Sequence, residues 1–235
     1  MINFFGTPAM LALDALMVIY TLWVLSLNRE TNKARGLIAA GMFGWMAVLF
    51  GIFSTQSLFP ADISSVSFYA AILTGVAVFG ALLFGVRPIR EYVMSLDQRQ
   101  LMMIQGIRVY FGATFLIQGG LGLLPATFGL IDGLTHISAG FFGLVAAFAV
   151  AAGTQARRRA WFANAFGLGD ILIVATSLAF VLLKDIGPHH PMMYAVFLPA
   201  PLWLWAHVVS IYKLITERED TVTRTTSSDV SRARA

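Results

Sequence analysis

The chain has 235 residues, 58% of them hydrophobic and 12% charged, about half the charged share of a soluble domain, which is roughly 25%. With 19 Phe and 5 Trp as well, it reads as an all-α polytopic membrane protein, a seven-transmembrane-helix bundle. Cysteine is absent, which excludes disulfides, cysteine-ligated metals and thiol catalysis.

The start, MINFFGTPAM, places no basic residue ahead of the first apolar run, and Asp14 falls inside that run. The run is therefore expected as a retained span and not as a cleaved signal. Seven apolar segments follow one another near 7–27, 36–54, 66–86, 101–124, 126–152, 161–183 and 192–214, each close to the about 20 residues that cross a bilayer. The second carries Ala40, Gly44, Ala47 and Gly51, and the third Gly75, Gly80 and Gly85. Neither holds a charge, so both are expected as packing elements. RPIREYVMSLDQR after the third suits a short interfacial helix with Pro88 in its first turn. LPAT, with Pro125, is a tight turn between the fourth and fifth. GPHHP, with His189 and His190, is a loop before the seventh.

Fourteen of the sixteen Lys and Arg lie in NRETNKAR, RPIREYVMSLDQR, QARRRA and the stretch from Lys213 to the C-terminus. All four stretches fall on one side of a seven-span chain. Basic residues are retained on the cytoplasmic side, so the N-terminus is expected outside and the C-terminus in the cytoplasm. The net charge of +4 thus reports topology and contact with the lipid bilayer, and nucleic acid is not an expected partner. Residues 1–215 form one seven-helix domain on this reading. The polar stretch 216–235 is expected as a disordered cytoplasmic tail.

Ionisable groups within a span are costly and should face the bundle interior with a partner. Asp14, Arg108, Asp132, His136, Asp170 and His207 are such groups. Positions three or four apart share a helix face. Gln105, Arg108, Gly112 and Gly119 make one stripe on the fourth span, and Gly129, Asp132, His136, Gly140 and Gly143 one on the fifth. Asn164, Gly167, Asp170 and Ser177 do so on the sixth, and Pro199, Trp203, His207 and Ser210 on the seventh. At about 1.5 Å per residue, Arg108, His136, Asp170 and His207 lie deep, while Asp132 and Asp14 lie nearer the outer edge. An inner cluster with an Arg108–Asp170 ion pair is expected, and Asp132 and Asp14 should mark an outer vestibule. Pro199 and Pro201 should kink the seventh span just before His207 and free backbone carbonyls there.

LDQRQLMMIQGIRVYFGATFLIQGGLGLLPATF, with Leu96, Asp97, Arg99, Gln105, Arg108, Gly112, Phe115, Leu116, Leu124, Pro125 and Phe128, resembles a bacterial family of multi-span membrane proteins with no assigned activity. The likeness continues through Asn164, Gly167 and Asp170 to His207 and Ser210, covering roughly residues 95–213. Where that family usually has Gly-Asp, this chain has Thr135 and His136. The resemblance implies a multi-span fold and puts the functional half of the chain in its second half.

The expected site is a ligand- or proton-binding cluster of Gln105, Arg108, Asp132, His136, Asn164, Asp170, Trp203 and His207, with no catalytic residue and no metal ligand set assigned. Small-molecule or proton-coupled transport or binding is the leading expectation. An accessory subunit of a larger membrane complex, or a homo-oligomer, is the alternative; its interior polar groups would then be structural, or would hold haem axially through His136 and His207. A lipid-active enzyme using Asp170 with His207 is the third. No lysine lies in mid-span, which excludes a retinal Schiff base. No H-x-x-x-H pattern is present either.

Overall fold

The computed structural model describes residues 6–28, 32–56 and 58–216, and is all-helical over them. Seven helices are long and apolar enough to cross a membrane: α1 Thr7–Ser26, α2 Lys33–Thr55, α3 Ser65–Gly85, α5 Gln98–Gly120, α6 Ala126–Ala152, α7 Ala156–Ile186 and α8 Met193–Thr216. A short helix, α4 Arg87–Ser95, joins α3 to α5, with a proline in its first turn. The expected tail lies outside the described residues apart from Thr216.

The local chemistry explains where the helices begin and end. α5 starts three residues before its apolar run. Asp97 accepts from the Gln100 backbone N–H at 2.7 Å, and the Gln100 side chain accepts from the Asp97 N–H at 3.2 Å. This reciprocal cap satisfies two donors that a helix start would otherwise leave open. The helix stops at Gly120, where Gly122 takes φ +70° and the N–H groups of Leu123 and Leu124 return to the Gln118 carbonyl at 2.9 and 3.3 Å. α7 begins five residues earlier than its apolar run, because Arg157, Arg158 and Arg159 are good helix formers.

α5 and α6 pack most intimately, α7 lies against α6, and α8 runs through the middle against α5, α7 and α3. α8 is the most buried of the seven and α2 the least. Glycines set the α5–α6 approach. A Cβ on Gly129 would stand 2.8 Å from Gly119 Cα, and one on Gly143 would stand 3.0 Å from the Met102 carbonyl. Between α3 and α8, Gly80 receives Trp205, whose Nε1 donates to the Val76 carbonyl at 2.9 Å. The glycines of α2 behave differently. Gly41, Gly44 and Gly51 have open space where a side chain would go, so within this chain α2 is no packing element of the kind its small residues suggest.

The expected kink in the last span falls immediately before Pro199. Helical geometry breaks at Leu198, with φ −120° and ψ −65°, and resumes at Pro199. Pro201 has no N–H, which frees the carbonyl four residues back. That carbonyl, on Phe197, accepts from Trp45 Nε1 at 2.7 Å. Trp45→Phe keeps the ring and deletes the donor. It should cost about 1–2 kcal/mol in detergent unfolding titrations, and an unchanged midpoint would show that water serves the carbonyl as well.

The GPHHP loop closes over this end of the bundle. His190 Nε2 sits 2.9 Å from the Leu123 carbonyl, and its Nδ1 accepts from the Met192 N–H at 3.3 Å. One nitrogen donates and the other accepts, which is the neutral ring. Burial accordingly pushes this imidazole below its usual range.

Candidate functional site

Thirteen polar or charged residues are buried among the described residues, and most of them join one network running through α5, α6, α7 and α8. Its first half is a chain of neutral groups. Gln98 Nε2 donates to the Ser210 carbonyl at 2.8 Å, and Ser210 Oγ donates back to Gln98 Oε1 at 2.8 Å. Asn164 Nδ2 donates to Ser210 Oγ at 2.7 Å, and Asn164 Oδ1 lies 2.8 Å from His207 Nδ1. An amide oxygen only accepts, so His207 carries its hydrogen on Nδ1 and turns a lone pair on Nε2 toward Arg108 Nη1, 3.4 Å away.

Arg108 is fully enclosed and joins the two halves. Its Nη1 also reaches the Gly167 carbonyl at 3.3 Å and Gln105 Oε1 at 3.5 Å, while its Nη2 pairs with Asp170 Oδ2. The guanidinium lies over the Trp203 ring, 5.0 Å from its centroid, in cation–π range. Gly167 is required here, since a Cβ would collide with the His207 ring. Gln105 Nε2 ties the carbonyl of Trp203 to α5 at 3.4 Å. Gln105–Ile107 adopt a 3₁₀ turn just where Arg108 leaves the backbone.

The second half is acidic. His136 Nδ1 lies 2.8 Å from Asp132 Oδ1 and 3.2 Å from Asp170 Oδ2. These are ion-pair distances, but Asp132 Oδ1, Asp132 Oδ2, His136 Nδ1 and Asp170 Oδ1 all lack a hydrogen bond of good geometry. Phe115 and Trp203 stand edge-on to the His136 ring at 5.4 and 5.8 Å.

Asp132 and Asp170 also form the floor of a groove of about 360 Å³ between α6 and α7. Its walls are apolar, with Phe128, Ile131, Ile173, Val174 and Val181, and Thr135 and Ser177 add hydroxyls. Ile131, Ile173 and Val181 are exposed on the outer surface, so the groove opens sideways from the bundle. Along it, α7 takes a π-helical turn over Leu178–Leu182. Such turns occur frequently at functional positions.

All eight residues expected at the site fall in this network, and Arg108 and Asp170 pair as anticipated. The expected layering is corrected in one respect. Asp132 does not mark a separate outer vestibule, because it shares a helix face with His136 and contacts it directly. Asp14 stands apart on α1, buried and without a hydrogen bond to either oxygen. The two histidines expected as axial haem ligands do not face one another across open space. Both nitrogens of His207 are engaged, and Arg108 and Trp203 fill the space toward His136. Arg108 likewise stands between Asp170 and His207, so these two make no acid–base pair. Gln98 was missed. It lies seven residues before Gln105, on the same α5 face, and the stripe would have reached it had the helix not been started at residue 101.

No curated protein and no solved structure matches the chain. A family model described as a domain of unknown function matches residues 66–215, which takes in α3 to α8 but for the first residue of α3 and the last of α8, with every residue of the network, and the chain belongs to that family, DUF8737.

Proposed function

We propose that this is a seven-pass protein of the bacterial cytoplasmic membrane that binds a small amphipathic molecule in the groove between α6 and α7, in a transport or carrier role. The membrane assignment rests on the seven apolar helices and on an outer surface crowded with large apolar side chains, Phe148, Ile173 and Val181 among them. A water-soluble monomer rarely exposes so much contiguous apolar area. The distribution of basic residues orients the N-terminus outside and the C-terminus inside.

One observation carries the binding reading: an open apolar groove of about 360 Å³ ends on two buried carboxylates, of which both Asp132 oxygens and Asp170 Oδ1 lack a well-formed hydrogen bond. That volume is within the roughly 300–1,000 Å³ of small-molecule sites. A polar head would reach Asp132, Thr135 and Asp170, and an apolar body would lie along Ile131 and Val174. The transport role is favoured by the interruptions in α7 and α8, the two helices that hold Asp170, Trp203 and His207. Discontinuous helices are how many transporters build a site at membrane depth.

Thr135→Trp tests this, since it fills the groove while leaving every charged residue of the network in place. Native mass spectrometry of protein extracted in polymer nanodiscs should show a small-molecule adduct on the wild type, reduced about tenfold or more in the variant, an affinity loss of about 1.4 kcal/mol. An adduct carried equally by both would overturn the assignment, as would a wild type that holds only bilayer lipids.

A further inference from the structure

We propose that Asp132, His136 and Asp170 form a divalent-cation site of the zinc class, open toward the groove. The reading rests on which atoms are left unserved. Within the buried network, Asp132 Oδ1, Asp132 Oδ2, His136 Nδ1 and Asp170 Oδ1 are the acceptor or ligand atoms without a well-formed hydrogen bond. They belong to three residues that each offer one ligand atom, all within 4.8 Å of one another. Each orphaned buried polar group costs about 1–3 kcal/mol, and a chain that leaves four together has placed them for something absent from its own side chains. A proton can serve one pair of them. A metal ion serves all three residues at once.

The spacing fits. A zinc ion with ligands at about 2.0–2.2 Å has neighbouring ligands about 3.4 Å apart in a tetrahedron. Here His136 Nδ1 stands 2.8 Å from Asp132 Oδ1, and a carboxylate oxygen of Asp170 lies within 4.8 Å of both residues' ligand atoms, so small rotations of the side chains would admit the ion. Asp132 and His136 are one helical turn apart on α6, and that spacing delivers two ligands from one face. Asp170 comes from α7 and divides its carboxylate. Oδ2 holds Arg108, which would fix the ligand's orientation from behind, and Oδ1 is left for the ion. Two carboxylates face one guanidinium in this half of the network, so the region favours added positive charge. The donor set of one imidazole and two carboxylates suits zinc and its neighbours. It is too small for calcium, which takes six to eight oxygens, and lacks the octahedral shell of magnesium.

Three protein ligands leave a fourth position, and Asp132 and Asp170 both border the groove, so that position faces it. Open three-ligand sites bind or activate a further ligand, whereas closed four-ligand sites are structural. The ion would therefore be the point at which a groove ligand's polar head is held. This extends the binding reading above but does not depend on it, because the ion can bind with water in the fourth position.

The test uses the full chain, purified without a polyhistidine tag, stripped with EDTA and placed in nanodiscs. Titration with CoCl₂ should raise a visible ligand-field band of tetrahedral intensity that saturates at one ion per chain and is displaced by ZnCl₂ but not by MgCl₂ or CaCl₂. Asp132→Asn and His136→Ala should each weaken cobalt binding about 100-fold or more, while the loop double variant His189→Ala/His190→Ala should leave it unchanged. A wild type that develops no such band overturns the proposal without reference to any variant's folding. So does a band that persists in both ligand variants, which would place the ion elsewhere. A wild type that binds no cobalt yet carries the small-molecule adduct that Thr135→Trp removes would sink the metal and leave the binding site standing.

Discussion

Replacing Arg108 by Leu is expected to destabilise the protein by about 3–5 kcal/mol, the cost of removing one partner from a buried ion pair. The variant keeps the volume of the stem but leaves Asp132 and Asp170 as two carboxylates with no guanidinium beside them, both almost wholly out of solvent. It also strips donors from the Gly167 carbonyl, Gln105 Oε1 and His207 Nε2. The double variant Arg108→Leu/Asp170→Leu should recover at least half of the loss. With no charge left at 170, the main penalty disappears and only the smaller hydrogen bonds, about 1 kcal/mol each, remain unmade. Unfolding titrations of chelator-treated protein in mixed micelles would read both values. A double variant that loses the sum of the two single losses would show that the charges are not coupled, and that Arg108 is held by its other contacts alone.

That pair was legible in the sequence because the relevant physics is one-dimensional. A guanidinium in the middle of an apolar run must find a carboxylate, and Asp170 was the one at matching depth. The helices were legible for the same reason, since their apolar length alone marks them. What could not be read was the azimuth between helices. Depth along a helix follows from counting residues, and counting placed Asp132 nearer the outer edge than His136. Contact depends on which faces meet, and the meeting of α6 with α7 puts Asp132, His136 and Asp170 within 4.8 Å of one another despite their different depths. The same lack of azimuth hid the groove. No pattern in α6 or α7 announces that the two helices part around Ile131 and Val181. The π turn at Leu178–Leu182 has no signature in composition. The same holds for the histidines, since residue type does not show that Arg108 and Asn164 engage the two nitrogens of His207.

Glycine is where residue type alone says least, and it carries the second large effect. Gly112→Ala is expected to cost about 3 kcal/mol, the upper end of the usual overpacking range of about 1–3 kcal/mol. Gly44→Ala is expected to be neutral or to stabilise by up to about 1 kcal/mol, the gain of a helical alanine over glycine. Both residues sit in small-residue stripes of apolar helices, and sequence gives no reason to separate them. Space separates them. A Cβ at 112 would drive into the Gly133 carbonyl and stand 2.8 Å from the Ile137 backbone nitrogen, whereas at 44 nothing lies within 4 Å. Backbone atoms cannot rotate aside as a leucine tip can, so α5 and α6 would have to move apart. They are the helices that hold Arg108 on one side and Asp132 with His136 on the other. Gly112→Ala should therefore loosen the charged network along with the fold, and a gain in stability at 112, or a loss at 44 equal to that at 112, would mean that α5 and α6 do not meet along this face.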